Sequence, residues 1–167
     1  FSLEEMSNYD QVEAILDDKL DVGFVRLDYV PDTIDKKEMY TETFSIVLPK
    51  NHPLKMENFH SVSQLSEENF ILFSSDYSSL YFAQIMSICK DAGFSPKVSH
   101  KSVHAQTIFK LVENGLGVAI VPTSLQYGFD LAIKCLEIPN IKQRAVLSII
   151  WKKENRNPAL PQIKSLL

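Results

Sequence analysis

The sequence predicts an α/β fold, because short apolar runs alternate with segments in which apolar residues recur at the helical period. Residues 44–48, 70–73 and 118–121 have the length and composition of buried strands. Residues 79–89 and 104–114 carry apolar side chains three and four positions apart. This order is typical of βαβ units assembled around a parallel sheet.

The first part of the chain begins with residues 1–3, which have the composition of the end of a strand. Residues 8–11 have a pattern like a capping box and predict the start of a helix. One face of that helix carries Val12, Ile15, Leu16 and Leu20. Residues 20–25 predict a buried strand, and residues 44–48 predict another that ends at the proline-containing turn 49–53.

The middle of the chain runs through the strand–helix order twice. Strand 70–73 precedes a helix over residues 79–93, and strand 97–100 precedes a helix over residues 104–114. A glycine stands at or directly after each helix end, Gly93 and Gly115, where glycine commonly ends helices. The predicted core residues of the two helices are Phe82, Ile85, Met86 and Cys89, then Ile108, Leu111 and Val112.

The last part contains a strand at 118–121 that Pro122 ends, and two further strands at 133–138 and 146–151. Asn157 and Pro158 predict the start of a final helix, because proline is favoured in the first helical turn. Its apolar residues are Leu160, Ile163, Leu166 and Leu167.

The formal net charge of −4 argues against a nucleic-acid surface, which usually carries a basic surplus. Any DNA contact is therefore expected outside these residues. All apolar runs are shorter than the roughly 18 residues of a membrane helix, so no membrane span is expected. Cys89 and Cys135 lie in apolar segments without a CxxC spacing, which favours two structural thiols over a redox pair.

The sequence carries no enzyme signature. Ser74–Asp76 and the two histidines His100 and His104 are not accompanied by a GxSxG or HExxH motif, which favours turn and capping chemistry. Gly115 and Gly117 do not form a phosphate-binding loop motif. We therefore expect no catalytic residue, no metal site and no cofactor.

Polar residues do collect where predicted helices follow predicted strands: at Asn8, at the pair Ser78 and Ser79, and at residues 104–107. In open α/β sheets these positions line the crevice beyond the carboxyl ends of the strands. Helix N-termini there offer free N–H groups and about half a positive charge each, so they can hold a carboxylate without lysine. The alternative interpretation is that these residues only cap their helices.

Three motifs follow one another in a familiar order: residues 20–26 (LDVGFVR), 48–54 (LPKNHPL) and 111–122 (LVENGLGVAIVP). In this order and spacing the chain resembles the effector-binding domain of LysR-type transcription regulators over nearly its whole length. Residues 4–6 (EEM), 23–26 (GFVR) and 71–75 (ILFSS) are similar to the subgroup that responds to benzoate and muconate.

The resemblance implies a periplasmic-binding-protein-like fold, in which two Rossmann-like lobes are joined by two crossing strands. Lobe I would comprise residues 1–42 and 145–167, and lobe II residues 43–144. The first strand and helix of lobe I are expected to be missing, because the sequence starts after both. The DNA-binding domain is also expected to be absent, and the family forms homodimers or homotetramers.

By position, the resemblance implies effector contacts from both lobes. In the cleft proposed from the helix starts, we expect Tyr81 and Phe82 to form aromatic walls. The implied contacts are Asn8, Ser79, Tyr81, His104, Ala105 and Gln106, with Pro122 and Thr123 closing the back of the cleft. Arg26 and Glu42 match positions beside the hinge where some relatives have a second aromatic-acid site. The alternative interpretation of Arg26 is an ion pair at the surface or hinge.

These implications predict a cytoplasmic sensor domain whose effector is a small organic acid, and which meets DNA only through the absent N-terminal domain. Two alternatives belong to other classes of protein. One is an extracytoplasmic solute-binding protein of the same fold, and the other is an enzyme acting on small acids, such as a dehydratase or transferase.

Overall fold

A computed structural model describes residues 2–128 and 130–165, and these form an α/β fold, as predicted. The helices are α1 (Asn8–Leu16), α2 (Ser79–Asp91), α3 (Ala105–Glu113) and α4 (Leu160–Ser165). The strands are β1 (Gly23–Val25), β2 (Ile34–Glu42), β3 (Phe44–Pro49), β4 (Asn69–Phe73), β5 (Lys97–Ser102), β6 (Ala119–Pro122), β7 (Ile133–Glu137) and β8 (Ala145–Lys152). The chain divides into two compact units: unit 1 is Phe1–Thr41 with Val146–Leu167, and unit 2 is Glu42–Ala145.

Unit 2 is built on two strand groups that backbone hydrogen bonds join. β4 and β5 are parallel, while β3 pairs in antiparallel fashion with β6 on one side and β7 on the other. A parallel bridge between Phe70 and Val118 links the groups. Val118 N donates to Asn69 O at 2.8 Å, and Ile71 N donates to Val118 O at 2.8 Å. The strand order across unit 2 is therefore β5-β4-β6-β3-β7.

The predicted parallel sheet is right for β4, β5 and β6 and wrong for β3, which runs in the opposite direction to β6. An apolar run indicates burial but carries no information on strand direction. Because β3 is antiparallel to β7 as well, β7 runs the same way as β6.

The core of unit 2 confirms the predicted helices and corrects part of their faces. Ile85 and Cys89 of α2 are buried as predicted, and so are Ile108 and Val112 of α3. Phe82, Met86 and Leu111 are only partly buried; Tyr81, Ile88 and Phe109 are buried beside the predicted residues. Each fully buried side chain of this size contributes about 1.5–3 kcal/mol. Burial also raises the pKa of the Cys89 thiol to about 12, as expected of a structural cysteine.

Unit 1 contains a three-stranded sheet in the order β1-β8-β2, with β1 and β8 antiparallel. On one side Ile15 of α1 packs with Val25, Ile34 and Ile150. A second cluster contains Ile149, Trp151 and Leu160. The residues did not predict β2, since its central charged residues interrupt any apolar alternation and only its end residues are buried.

Several predicted boundaries in unit 1 are wrong. Residues 2–6 form no regular structure and Leu3 is 96% exposed, so the described part of the predicted strand 1–3 is not a strand; Phe1 lies outside the described residues. β1 starts at Gly23 rather than at residue 20. α4 starts at Leu160 because Asn157 Oδ1 accepts from Ala159 N at 2.9 Å, which forms a turn first. Leu166 and Leu167 also lie outside the described residues.

Gly117 precedes the Val118 link between β4 and β6 and has a backbone φ of +154°. A Cβ atom there would collide with the backbone carbonyl oxygen of Asn69, the acceptor of the Val118 N–H. Gly93 provides a matched control, because its φ is +88° but a Cβ atom would meet nothing within 4 Å. The two sites therefore separate backbone strain from steric collision.

We predict that Gly117→Ala lowers the free energy of unfolding by at least about 3 kcal/mol, since strain and collision with backbone add. Gly93→Ala introduces only the strain of the left-handed conformation and should lower the free energy of unfolding by about 1 kcal/mol. Urea denaturation measures both. Equal losses in the two variants would contradict the close approach of Gly117 to β4.

Candidate functional site

Three strands of unit 2 end at the same edge of the sheet, because β4, β5 and β6 run in the same direction. Ser74 N donates to Ser102 O at 2.9 Å, which ties the segments that follow β4 and β5. We call this region the carboxyl edge and define it as residues 74–79, 102–107 and 123–124. It contains most of the predicted site residues that lie in unit 2.

The start of α2 forms the first segment of the carboxyl edge. Ser78 N donates to Ser74 O at 3.1 Å in the turn that precedes the helix, and Ser78 is the N-cap residue. Ser78 is only 6% exposed, yet its hydroxyl oxygen has no hydrogen-bond partner among the described residues and does not cap the helix. A buried hydroxyl without a partner costs about 1–3 kcal/mol. The position is therefore suited to a hydrogen-bonding group from a bound molecule.

The start of α3 forms the second segment. His104 is its N-cap residue in an extended conformation, and its side chain forms no capping hydrogen bond within the described chain. His104 N donates to Ser102 Oγ at 3.2 Å, which anchors the entry to the helix. Ala105 is half-buried and Gln106 is exposed. The first-turn N–H groups of α2 and α3 thus lie at the same edge of the sheet.

The third segment follows β6, where Pro122 is buried and Thr123 is half-buried. Ser124 binds the buried carboxylate of Glu42 twice, from its N–H at 2.5 Å to Oε2 and from its hydroxyl at 2.8 Å to Oε1. Glu42 is therefore held by unit 2 at the carboxyl edge. Ser124 was not among the predicted site residues, although its place directly after a strand and a proline is a signal that could have indicated it.

The two predicted aromatic walls differ in environment. The ring of Tyr81 is enclosed in the core, 5.7 Å from the ring of Phe44 and 5.6 Å from that of Phe73. Phe82 is half-buried, and Lys101 Nζ lies 5.3 Å from its ring centroid. Phe82 thus presents a surface that a ligand could cover, whereas the Tyr81 ring is occupied by its neighbours.

The predicted residues Asn8 and Arg26 lie in unit 1. Asn8 Oδ1 accepts from the backbone N–H of Arg26 at 3.1 Å, and Gln11 Oε1 accepts from Phe24 N at 2.8 Å. Two amide side chains of α1 therefore satisfy alternate N–H groups of β1 and its continuation. The predicted capping box at residue 8 is wrong: Ser7 is the N-cap, because its hydroxyl accepts from Asp10 N at 3.1 Å while Asn8 turns toward the strand.

Two cavities among the described residues lie away from every predicted site residue. One of about 310 Å³ in unit 2 is lined by Phe59, Ile88, Ile138 and Gln143, among others. The other, of about 390 Å³ in unit 1, is lined by Asp18, Asp21 and Asn155, among others. In the described chain, no group of three or more His, Cys, Asp and Glu residues could hold a metal ion. No helix of the described ranges is long and apolar enough to span a membrane.

Comparison with known proteins identifies the domain family of the chain. The profile of the LysR substrate binding domain matches residues 1–167. The transcriptional regulator AlsR of Bacillus subtilis is 25% identical over 158 residues, which make up 95% of this chain and 52% of AlsR. The chain thus spans about half the length of this curated relative.

Two solved structures have the same fold. The crystal structure of CbnR, a LysR family transcriptional regulator, matches with a TM-score of 0.84 and 22% identity over 98% of this chain and 57% of that chain. The BenM effector binding domain with its effector benzoate matches with a TM-score of 0.79 and 21% identity, over 98% of this chain and 78% of that chain. BenM belongs to Acinetobacter baylyi. The predicted periplasmic-binding-protein-like fold of LysR substrate-binding domains is confirmed.

Two serines at helix starts test whether the fold uses the Ser78 hydroxyl, which has no hydrogen-bond partner among the described residues and which we call the orphan hydroxyl. Ser7→Ala removes a capping hydrogen bond and should lower the free energy of unfolding by about 1 kcal/mol. Ser78→Ala removes a buried hydroxyl that has no partner among the described residues, and should therefore raise the free energy of unfolding by about 1–3 kcal/mol. Urea denaturation of both variants gives the comparison. A loss of 1 kcal/mol or more in Ser78→Ala would show that the fold itself uses this hydroxyl.

Proposed function

The chain belongs to the LysR substrate-binding domain family, and from this membership we propose that it senses a small effector for a transcription regulator. Its relatives AlsR and BenM are named as transcriptional regulators, which supports a regulator over a solute-binding protein or an enzyme. In this proposal the effector shifts the conformation of a cytoplasmic homodimer or homotetramer. DNA is bound by another domain, consistent with the net charge of −4 here.

The observation that carries the proposal is the orphan hydroxyl of Ser78 at the N-terminus of α2. A helix N-terminus carries about half a positive charge and free N–H groups, which favour a bound anion. The N-terminus of α3 lies at the same carboxyl edge and adds a second set of donors. A carboxylate bound there would accept hydrogen bonds from the Ser78 hydroxyl and from first-turn N–H groups. The site therefore favours a small organic acid.

We extend this proposal to the remaining contacts that the family resemblance implies. Ser79, His104, Ala105, Gln106, Pro122 and Thr123 would border the effector in lobe II, residues 43–144. Asn8 would contribute from lobe I, residues 1–42 and 145–167, and Tyr81 through its hydroxyl end. Arg26 and Glu42 would form a second site near the hinge.

We also propose that the acid is aromatic. The solved structure of the BenM domain contains its effector benzoate. Residues 71–75 are similar in sequence to the subgroup that responds to benzoate and muconate. The half-buried ring of Phe82 stands one turn into α2 and offers an apolar surface for a flat carbon skeleton. A benzoate or muconate analogue would place its carboxylate at the helix start and its carbon skeleton toward this ring.

Calorimetric titration with benzoate, cis,cis-muconate and acetate tests the proposal. We predict that at least one of the two larger acids binds, and that Ser78→Ala weakens its affinity about tenfold to a hundredfold, since a hydrogen bond to a charged group is worth about 1.5–3 kcal/mol. Ser87→Ala is the matched control, because its hydroxyl lies on the same helix and contacts Gln143 at 2.9 Å instead.

Binding of none of these acids, or equal affinities in Ser78→Ala and Ser87→Ala, would contradict the proposed site. Circular dichroism of each variant shows that the fold is retained. A neutral sugar of similar size is a further negative control, because it lacks the charge that the helix N-termini attract.

A further inference from the structure

Four side chains on the β6-β3-β7 side of the carboxyl edge form one continuous line of hydrogen bonds. Ser45 Oγ lies 2.9 Å from Thr123 Oγ1, and Thr123 Oγ1 lies 3.2 Å from Thr43 Oγ1. Thr43 Oγ1 donates to Glu137 Oε1 at 2.5 Å. We call this line the hydroxyl chain. It was not predicted from the sequence, and it ends on a carboxylate.

The register of the strands holds the hydroxyl chain in place. Ser45 of β3 stands opposite Val121 of β6 on one side and opposite Glu137 of β7 on the other. Thr123 N donates to Thr43 O at 3.1 Å, which fixes the two threonines beside each other. The three hydroxyl groups are therefore positioned by backbone pairing and not by mobile loops.

Counting protons gives the hydroxyl chain a single direction. A carboxylate only accepts, and each hydroxyl has one hydrogen to donate. Thr43 gives its hydrogen to Glu137, so its contact with Thr123 requires Thr123 to donate. Thr123 then has no hydrogen left for Ser45, so Ser45 must donate to Thr123. The order is Ser45 to Thr123 to Thr43 to Glu137.

The burial of Ser45 supports this order. Ser45 is only 1% exposed, and among the described residues Thr123 is the partner of its hydroxyl. If Thr123 donated to Ser45 instead, the Thr43–Thr123 contact would hold no proton, and the Ser45 hydrogen would lack that acceptor. A buried hydroxyl hydrogen without an acceptor is costly, so this alternative is disfavoured.

We infer that the hydroxyl chain makes Thr123 a hydrogen-bond acceptor toward the carboxyl edge, so that the site selects acids that also carry a donor such as a hydroxyl group. The inference rests on the proposed function, which places the effector at this edge. α2 and α3 supply donors for the carboxylate, whereas Thr123 supplies a lone pair for a second group. The effector class is therefore a hydroxy acid, and the hydroxyl chain sets this preference.

The test compares 2-, 3- and 4-hydroxybenzoate with benzoate and with the matching methoxybenzoates by calorimetry on the purified protein, because a hydroxyl can donate whereas a methoxy oxygen only accepts. One hydroxylated isomer should bind roughly three- to tenfold more tightly than benzoate, the range expected for one neutral hydrogen bond. Because both acids in each comparison carry one negative charge, the ratio of their dissociation constants cancels general charge effects. The ratio therefore reports on the second group alone.

Glu137→Gln changes the direction of the hydrogen bonds without removing the hydroxyl chain. An amide can donate to Thr43, which frees Thr43 to donate to Thr123 and lets Thr123 donate outward. The preference for the hydroxylated isomer over its methoxy analogue should fall at least threefold, because the methoxy oxygen can accept from a Thr123 hydroxyl that donates outward. Thr43→Val should act in the same sense, because it releases the Thr123 hydrogen. Glu67→Gln is the matched control, since it removes the same charge from an exposed position in unit 2 that pairs with Lys97.

The outcomes separate the two proposals. If the wild-type protein binds neither benzoate nor any hydroxybenzoate, the proposed function fails, and this inference fails with it. If it binds them without preferring a hydroxylated isomer, or if Glu137→Gln keeps the preference seen in Glu67→Gln, the hydroxyl chain does not set specificity, while the proposed function stands. Because Glu137 is exposed, its variant is expected to fold even if Thr43→Val does not.

Discussion

The backbone link of Val118 to both Asn69 and Ile71 is the constraint on which unit 2 depends. Its two hydrogen bonds, each 2.8 Å, join the parallel pair β4-β5 to the antiparallel group β6-β3-β7. Because β6 is thereby aligned with β4, the segments after β4, β5 and β6 meet at one edge. The close approach that this requires explains why a glycine precedes Val118. The Val118 link therefore brings helix starts and hydroxyl groups from distant parts of the sequence to the same edge of the sheet.

The carboxyl edge combines hydrogen-bond donors and acceptors from backbone N–H groups, hydroxyl groups and carboxylates. The first turns of α2 and α3 supply partial positive charge. Two carboxylates lie on the same side of unit 2, and both are engaged: Glu42 accepts from Ser124, and Glu137 accepts from Thr43. Hydrogen bonding to these carboxylates reduces their repulsion of an anion. The Ser78 hydroxyl, which has no partner among the described residues, is then a buried polar group that can bind a ligand.

The sequence predicted those elements whose burial is periodic, and it failed where burial is not the deciding factor. α2 and α3 were located from the spacing of their apolar residues. The observed buried faces differ from the predicted ones only in which neighbouring residues are fully buried. β2 was missed because its charged residues hide its strand character. The direction of β3 leaves no trace in its composition, so nothing in the sequence could bring Thr43 or Ser45 beside Thr123. Asn8 and Ser7 are both good capping residues. Because the Asn8 side chain accepts a hydrogen bond from Arg26 N, Ser7 caps the helix instead.

The central claim is that an acid binds at the helix starts of the carboxyl edge, and backbone amide NMR tests it most directly. Titration of the isotopically labelled protein with benzoate should produce the largest shifts at residues 79–81 and 105–107, where the first-turn N–H groups lie. Shifts that concentrate instead around the cavity lined by Phe59, Ile88 and Gln143, or a spectrum that benzoate leaves unchanged, would contradict the account.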